Sequence, residues 1–196
     1  MTSQIARLCL VLITTVIAAC EPAEVADDAA ARREARLAKE WPVPPPAENE
    51  AQRSWALSRG NLILGEPYSG GPGFPPTSVL VLHCETPGVL SVESGLILWT
   101  DVPLILPPFD TFVIEGGGVR LHAPMRSQSD GFSAGASGDF KVDRVLLRQL
   151  LSGQHLVVRA LHIGEPQSDF SEDWADRHPV PPVAERDAFV TGCAAD

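Results

Sequence analysis

Val79-Leu80-Val81-Leu82-His83-Cys84 (VLVLHC) is the stretch on which the reading of the fold turns. Leu80, Leu82 and Cys84 fall on one face of an extended chain, Val79, Val81 and His83 on the other. A run that is apolar on both faces is the mark of a central strand, covered from both sides. Upstream, Trp55 to Leu57 and Asn61 to Leu64 read as shorter strands, and Glu66 to Pro76 (EPYSGGPGFPP) as a loop. Downstream, Val89 to Val92 and Leu96 to Trp99 flank Glu93-Ser94-Gly95, which suits a hairpin turn. Pro103, Pro107 and Pro108 confine the following segment to a sheet edge or a connection.

A second hairpin is predicted where Thr111 to Ile114 and Val119 to Ala123 flank Glu115-Gly116-Gly117-Gly118, whose glycines tolerate positive φ. In its second strand Val119, Leu121 and Ala123 alternate with Arg120 and His122, so one face meets water. Ser127 to Gly138 is small and polar and reads as a loop. One helix interrupts the strands: Asp139 is a candidate cap, Val142, Val145, Leu146 and Leu150 recur at helical spacing, and Gly153 ends the run. Gln154 to Ile163 (QHLVVRALHI) is the longest strand candidate and is placed beside the Val79 strand. Gln167 to Pro182 reads as an acidic loop, after which Phe189-Val190 returns to the core and brings Cys193 near Cys84. The sum is a mainly β domain over residues 51–196, an antiparallel β-sandwich with one covering helix.

Two segments precede that domain. Met1 to Arg7 is a short stretch with one cation, and the apolar run Leu8 to Ala19 ends in small side chains, as a signal peptide does. Glu21, Glu24, Asp27 and Asp28 cut the run short of the ~20 apolar residues a membrane-spanning helix needs. Residues 20–50 lack a core-forming pattern. Within them Asp27 to Lys39 (DDAAARREARLAK) predicts a solvated helix, and Trp41-Pro42-Val43-Pro44-Pro45-Pro46 an extended polyproline II spacer. The proline run is also a candidate ligand for an aromatic groove. As flexible coil, ~30 residues span about 30 Å root-mean-square.

The junction Ile17-Ala18-Ala19-Cys20 resembles the lipobox of bacterial lipoproteins. The resemblance implies a leader over residues 1–19, removed so that Cys20 becomes the N-terminus, its thiol carrying diacylglycerol, with palmitate among the acyl chains. It also implies attachment to the inner or outer membrane of a bacterial envelope, facing the periplasm. Several acyl chains hold a protein on a bilayer without spanning it, each buried CH₂ contributing ~0.8 kcal/mol.

The whole chain carries a formal charge of −10 from 15 basic and 25 acidic residues, and loss of Arg7 with the leader makes it one unit more negative. That balance disfavours nucleic acid, whose phosphates demand basic surface, and disfavours polybasic docking to anionic lipid. Of four cysteines, the lipobox resemblance implies that Cys9 leaves with the leader and that Cys20 takes the lipid. Cys84 and Cys193 remain, and in an oxidising compartment an even pair predicts a disulfide. Two buried free thiols are the alternative.

The order of elements from Ser78 to Cys193 is similar to that of small exported β-sandwich proteins, the type VI secretion-associated VasI/TagO-like and the invasion-associated IalB-like families. The features shared are VLVLHC, the helix leading into VLLRQLLSGQHLVVRA, and the closing Phe189 to Gly192 before Cys193. The resemblance implies a non-enzymatic periplasmic accessory role and brings no catalytic residue.

The residues themselves assemble no catalytic constellation. His155 and His162 lie seven apart on one predicted strand and point to opposite faces, and His122 meets His162 only through tertiary contact, so no histidine metal site is expected. Asp169, Glu172, Asp173 and Asp176 lack the spacing and glycine of an EF-hand loop and enclose Trp174. Gly135-Ala136-Ser137-Gly138 misses a nucleophile elbow by one place, and Gly70-Gly71-Pro72-Gly73 lacks the lysine of a phosphate loop. Tyr68, Phe74, Trp99 and Trp174 are candidate groove aromatics or core anchors. The expectation is a lipid-anchored envelope accessory protein that binds a protein partner, with no cofactor and no metal. The alternatives are a hydrolase or small-ligand carrier with a site built from distant residues, and a structural spacer.

Overall fold

The computed structural model describes residues 23–66, 77–96, 109–129, 134–162 and 174–193. The leader, Cys20, the loop containing Gly70 to Gly73, the prolines at 103, 107 and 108, and the acidic residues Asp169, Glu172 and Asp173 lie outside them. The chain divides into two units, Met1–Trp41 and Pro42–Asp196. The first holds helix α1 (Ala23–Ala38), as its run of Ala, Arg and Glu predicts.

The described residues of the second unit form two antiparallel sheets. Strands β1 (Ser54–Ser58), β2 (Asn61–Glu66), β3 (Thr77–Thr86), β4 (Val89–Leu96), β7 (Arg126–Ser129) and β8 (Ala134–Lys141) make a six-stranded sheet in the order β1-β2-β3-β4-β8-β7. Strands β5 (Thr111–Gly116), β6 (Val119–Pro124), β9 (His155–Leu161) and β10 (Trp174–Pro179) make a four-stranded sheet in the order β10-β9-β5-β6. The core lies between them. Leu62, Leu64, Leu80, Leu82, Leu90, Val92 and Phe140 point inward from one sheet, Phe112, Ile114, Leu156 and Val158 from the other, and Phe112 and Phe140 meet with ring centroids 6.3 Å apart. Each fully buried Leu or Phe stabilises the fold by roughly 1.5–3 kcal/mol through area removed from water.

Tight turns follow from local chemistry. Arg59-Gly60 and Gly117-Gly118, both pairs with positive φ, close β1–β2 and β5–β6, as two-residue hairpins require. Pro87-Gly88 closes β3–β4, with Gly88 at φ 81°.

Two helices, α2 (Arg144–Leu150) and α3 (Val183–Cys193), fill one end of the sandwich with Leu147, Leu150, Leu151, Phe189 and Val190. The single covering helix expected from the sequence is therefore joined by a second: Phe189-Val190 belongs to a helix, since its two residues and Cys193 lie at 3.6-residue spacing on one face. The cap of α2 is Asp143, whose carboxylate accepts from Leu146 N at 2.7 Å, and Asp139 lies back in β8. Cys84 and Cys193 are joined as a disulfide, their Cα atoms 5.3 Å apart, which ties α3 to β3.

Four other expectations are corrected. Glu93-Ser94-Gly95 is no turn: β4 runs unbroken to Leu96 between β3 and β8, because ladder pairing on both edges overrides the glycine. Ser127 to Gly138, apart from the undescribed 130–133, is strand in β7 and β8. The Gln154 strand pairs β5 and β10 in the sheet opposite Val79, with its inner face turned to the same core. The end of the acidic loop, Trp174–Pro179, is strand β10.

Candidate functional site

The outer face of the six-stranded sheet brings together residues that the sequence keeps far apart. Register places Ala56, Ile63, Val81, Glu93, Ser137 and Arg126 in one row across all six strands. Beside that row lies the cross-strand pair Gly95 and Gly135, whose missing side chains leave a notch of about 200 Å³ walled by Val81, Glu93 and Ser137. The notch is open to water on one side. Its two principal segments are Glu93-Ser94-Gly95, read from sequence as a turn, and Gly135-Ala136-Ser137-Gly138, read as a failed nucleophile elbow.

On the other side of the Glu93 row, His83, Ser91 and Asp139 stand opposite one another on β3, β4 and β8. The residue types are those of a serine hydrolase, but the order is not. Ser91 Oγ donates to Asp139 Oδ1 at 2.6 Å, and Arg126 Nη2 donates to the same oxygen at 2.6 Å. The imidazole of His83 lies 4.0 Å from Glu85. The hydroxyl is committed to a carboxylate that Arg126 holds, and no bond runs from Ser91 to His83 as the Ser–His–Asp order requires, so the row is a polar clamp holding β4, β8 and β7 together.

A buried charge network closes the seam between β1–β2 and β10. Arg53, 7% exposed at its side chain, donates through Nε to Glu66 Oε2 at 3.2 Å. Its Nη1 reaches Asp176 Oδ2 at 3.5 Å, Arg177 O at 3.3 Å and His178 Nδ1 at 3.1 Å. A guanidinium N–H can only donate, so His178 Nδ1 accepts and the neutral ring carries its proton on Nε2. Burial, reinforced by the Arg53 charge, lowers the His178 pKa to about 3, with Glu50 opposing weakly. Burial also raises Asp176, against the pull of Arg53. His178 and Asp176, 3.6 Å apart, are thus not an ion pair at neutral pH. Trp55 Nε1 donates to Pro179 O at 2.9 Å across the same seam.

This network also fixes the start of the second unit. Arg159, buried on the outer side of β9, donates to Pro42 O at 3.0 Å, Arg177 reaches Glu50 at 3.2 Å, and Asn49 reaches Glu66 at 2.6 Å. Pro42 to Arg53 therefore straps β9, β10 and β2. A groove of about 380 Å³ lies between β6 and the end of β8, where Arg120, His122 and Lys141 rim Leu121 and Phe140. Arg120 is paired there with Glu115.

Cys84 and Cys193 meet, while Cys20 lies outside the described residues. Asp176 and Trp174 are parts of β10, half-buried against the interior. His122 and His162 lie on different elements, His162 3.5 Å from Asp110. Among the described residues no group of three His, Cys, Asp or Glu side chains could hold a metal. Arg53, Glu66 and His178 were missed; the available signal was the alternation of Trp174-Ala175-Asp176-Arg177-His178, which puts Trp, Asp and His on one face. No protein-family model matches the chain, and neither the curated proteins nor the solved structures contain a detectable relative.

Proposed function

We propose that this chain is a lipid-anchored protein of the bacterial cell envelope, acylated at Cys20, whose sandwich domain binds another envelope component without catalysing a reaction. The observation that carries the reading is the Cys84–Cys193 disulfide in a chain that opens on a lipobox. Disulfides persist in oxidising compartments, and export through a lipoprotein leader delivers the domain to one. No described helix is long and apolar enough to cross a membrane, and the acyl chains at Cys20 supply the attachment. The likeness to VasI/TagO-like and IalB-like proteins points to the same accessory role.

Binding is favoured over hydrolysis by the Ser91 geometry, in which the hydroxyl serves the Asp139–Arg126 pair. The notch on the outer sheet face is the surface assigned to the partner. Mass spectrometry of the mature N-terminus tests the anchor: a diacylglyceryl mass on Cys20 is expected, and an unmodified Cys20 or cleavage elsewhere overturns it. Proximity labelling in living cells tests the partner, with enrichment of one specific envelope protein as the expected outcome.

A further inference from the structure

From the notch on the six-stranded sheet we infer that the partner enters with a single basic side chain, a lysine or arginine, laid over Gly95 and Gly135 with its cation on Glu93. The inference rests on the binding reading above and names the chemistry of its contact.

Gly135 is a glycine that its described surroundings do not require. Glycine inside a strand costs conformational entropy and forfeits side-chain packing, so it is retained where the backbone or a close approach demands it. Gly138 on β8 meets such a demand: an added Cβ would lie 3.0 Å from Phe112 Cδ1 and 3.3 Å from the Phe140 ring. Gly135, three residues earlier on the same strand, meets none. Among the described residues an added Cβ there approaches only Ser94 O, at 3.6 Å, an ordinary contact, and the residue does not have positive φ. The fold would accept alanine. What Gly135 supplies is space, directly opposite Gly95, and that space is the notch.

Size and charge then select the occupant. Small-molecule sites enclose roughly 300–1,000 Å³, and about 200 Å³ is short of that range but fits one long side chain. Val81 offers an apolar wall for a methylene stem, Ser137 a hydroxyl, and Glu93 the charge lining the notch. Lys and Arg bury their stems along apolar surface while keeping the charged head at the rim. Arg126, the cation in the same register row, is engaged by Asp139 at 2.6 Å. A domain of net negative charge also steers a basic partner toward it.

The test is an amide-resolved NMR titration of the lipidated chain in detergent micelles. The probes are the peptide acetyl-Gly-Ser-Lys-Ser-Gly-amide and its analogue with norleucine in place of lysine. The lysine peptide is expected to give saturable shifts at Val81, Glu93, Gly95, Gly135 and Ser137, with the norleucine peptide at least tenfold weaker. Glu93→Gln should weaken the lysine peptide at least tenfold, Glu85→Gln should not, and Gly135→Val should abolish binding. If Gly135→Val lowers the melting temperature, Gly135→Ala is read instead and should weaken binding severalfold. Absence of saturable shifts at these amides, or equal binding by Glu93→Gln, overturns the inference. A partner labelled equally by wild type, Glu93→Gln and Gly135→Val would remove the notch and leave the binding reading standing. Peptide binding at the notch without any envelope partner would do the reverse.

Discussion

His178 is fully buried and neutral, and that single fact sets how the domain responds to acid. Its folded pKa is about 3 against 6.5 in the unfolded chain. Between those values the unfolded state holds a proton that the folded state refuses, so stability falls as pH drops, by ~1.4 kcal/mol for each unit. Asp176 acts with the opposite sign: its raised pKa lets the folded state take up a proton first on acidification, which offsets part of the loss at the lower end of the window. Urea denaturation at pH 6.5 and pH 4.5 should therefore differ by roughly 2 kcal/mol, the unfolded imidazole being only half protonated at the upper pH. His178→Asn keeps an acceptor for Arg53 and removes the titrating group, so its two curves should lie much closer. Equal pH slopes in the two proteins would refute this account. Arg53→Met is a harsher test, because it leaves Glu66 and Asp176 with no guanidinium between them. Breaking a buried pair on one side costs about 3–5 kcal/mol, and a shift of the urea midpoint of that size is expected.

At the scale of elements, glycines that look alike in sequence separate by what surrounds them. Gly117 sits at φ 57° under α2, where an added Cβ would run into the carbonyl of Gln149, whose side chain also donates to Gly117 O at 3.3 Å. Gly117→Ala should cost about 3 kcal/mol or more, from strain and a backbone clash together. Gly138→Ala presses on Phe112 and should cost roughly 1–3 kcal/mol, while Gly135→Ala should be neutral or slightly stabilising in thermal melts. A Gly135→Ala variant as unstable as Gly138→Ala would contradict the description of the notch. The same contrast explains what the sequence conceals. The β5–β6 turn was legible because three glycines between alternating strands have one local solution. Glu93-Ser94-Gly95 was misread because a glycine in a paired strand and a glycine in a turn are the same letter, and only β3 and β8 on either side decide between them. Strand β8 opens on Ala-Gly-Ala-Ser-Gly, so its inward row of Ala136, Gly138 and Phe140 carries only one large side chain, and the strand owes its conformation to pairing with β4 and β7.

At the scale of the whole molecule, the stretches apolar on both faces revealed the architecture: VLVLHC and HLVVRAL occupy the middle of the two sheets, with Leu80, Leu82, Leu156, Val158 and Ala160 fully buried between them. Which sheet each joined was not legible, since nothing local in a strand states its partner, and for the same reason Arg53 and His178, 125 residues apart, gave no sign of meeting. The cysteines were the exception, because an even count left after the expected leader and lipid site pointed to a single pair. Their bond closes a loop of 109 residues, for which chain entropy allows about 4–5 kcal/mol and practice about 2–4. Its structural consequence is narrower than its span. Helix α3 is held independently by buried Phe189 and Val190, and Gly88 N donates to Cys193 O at 2.9 Å while Gly88 O accepts from Val142 N. Reduction should therefore release an entropic constraint without dissolving the end of the sandwich. The urea midpoint is expected to fall by about 2–4 kcal/mol equivalents under reductant, while far-UV circular dichroism in the absence of urea stays that of the oxidised protein. The double variant Cys84→Ser, Cys193→Ser should match the reduced protein and ignore reductant altogether. Loss of helical signal on reduction would instead mean that α3 depends on the bond for its place, and an unchanged midpoint would mean that the disulfide contributes nothing beyond its geometry.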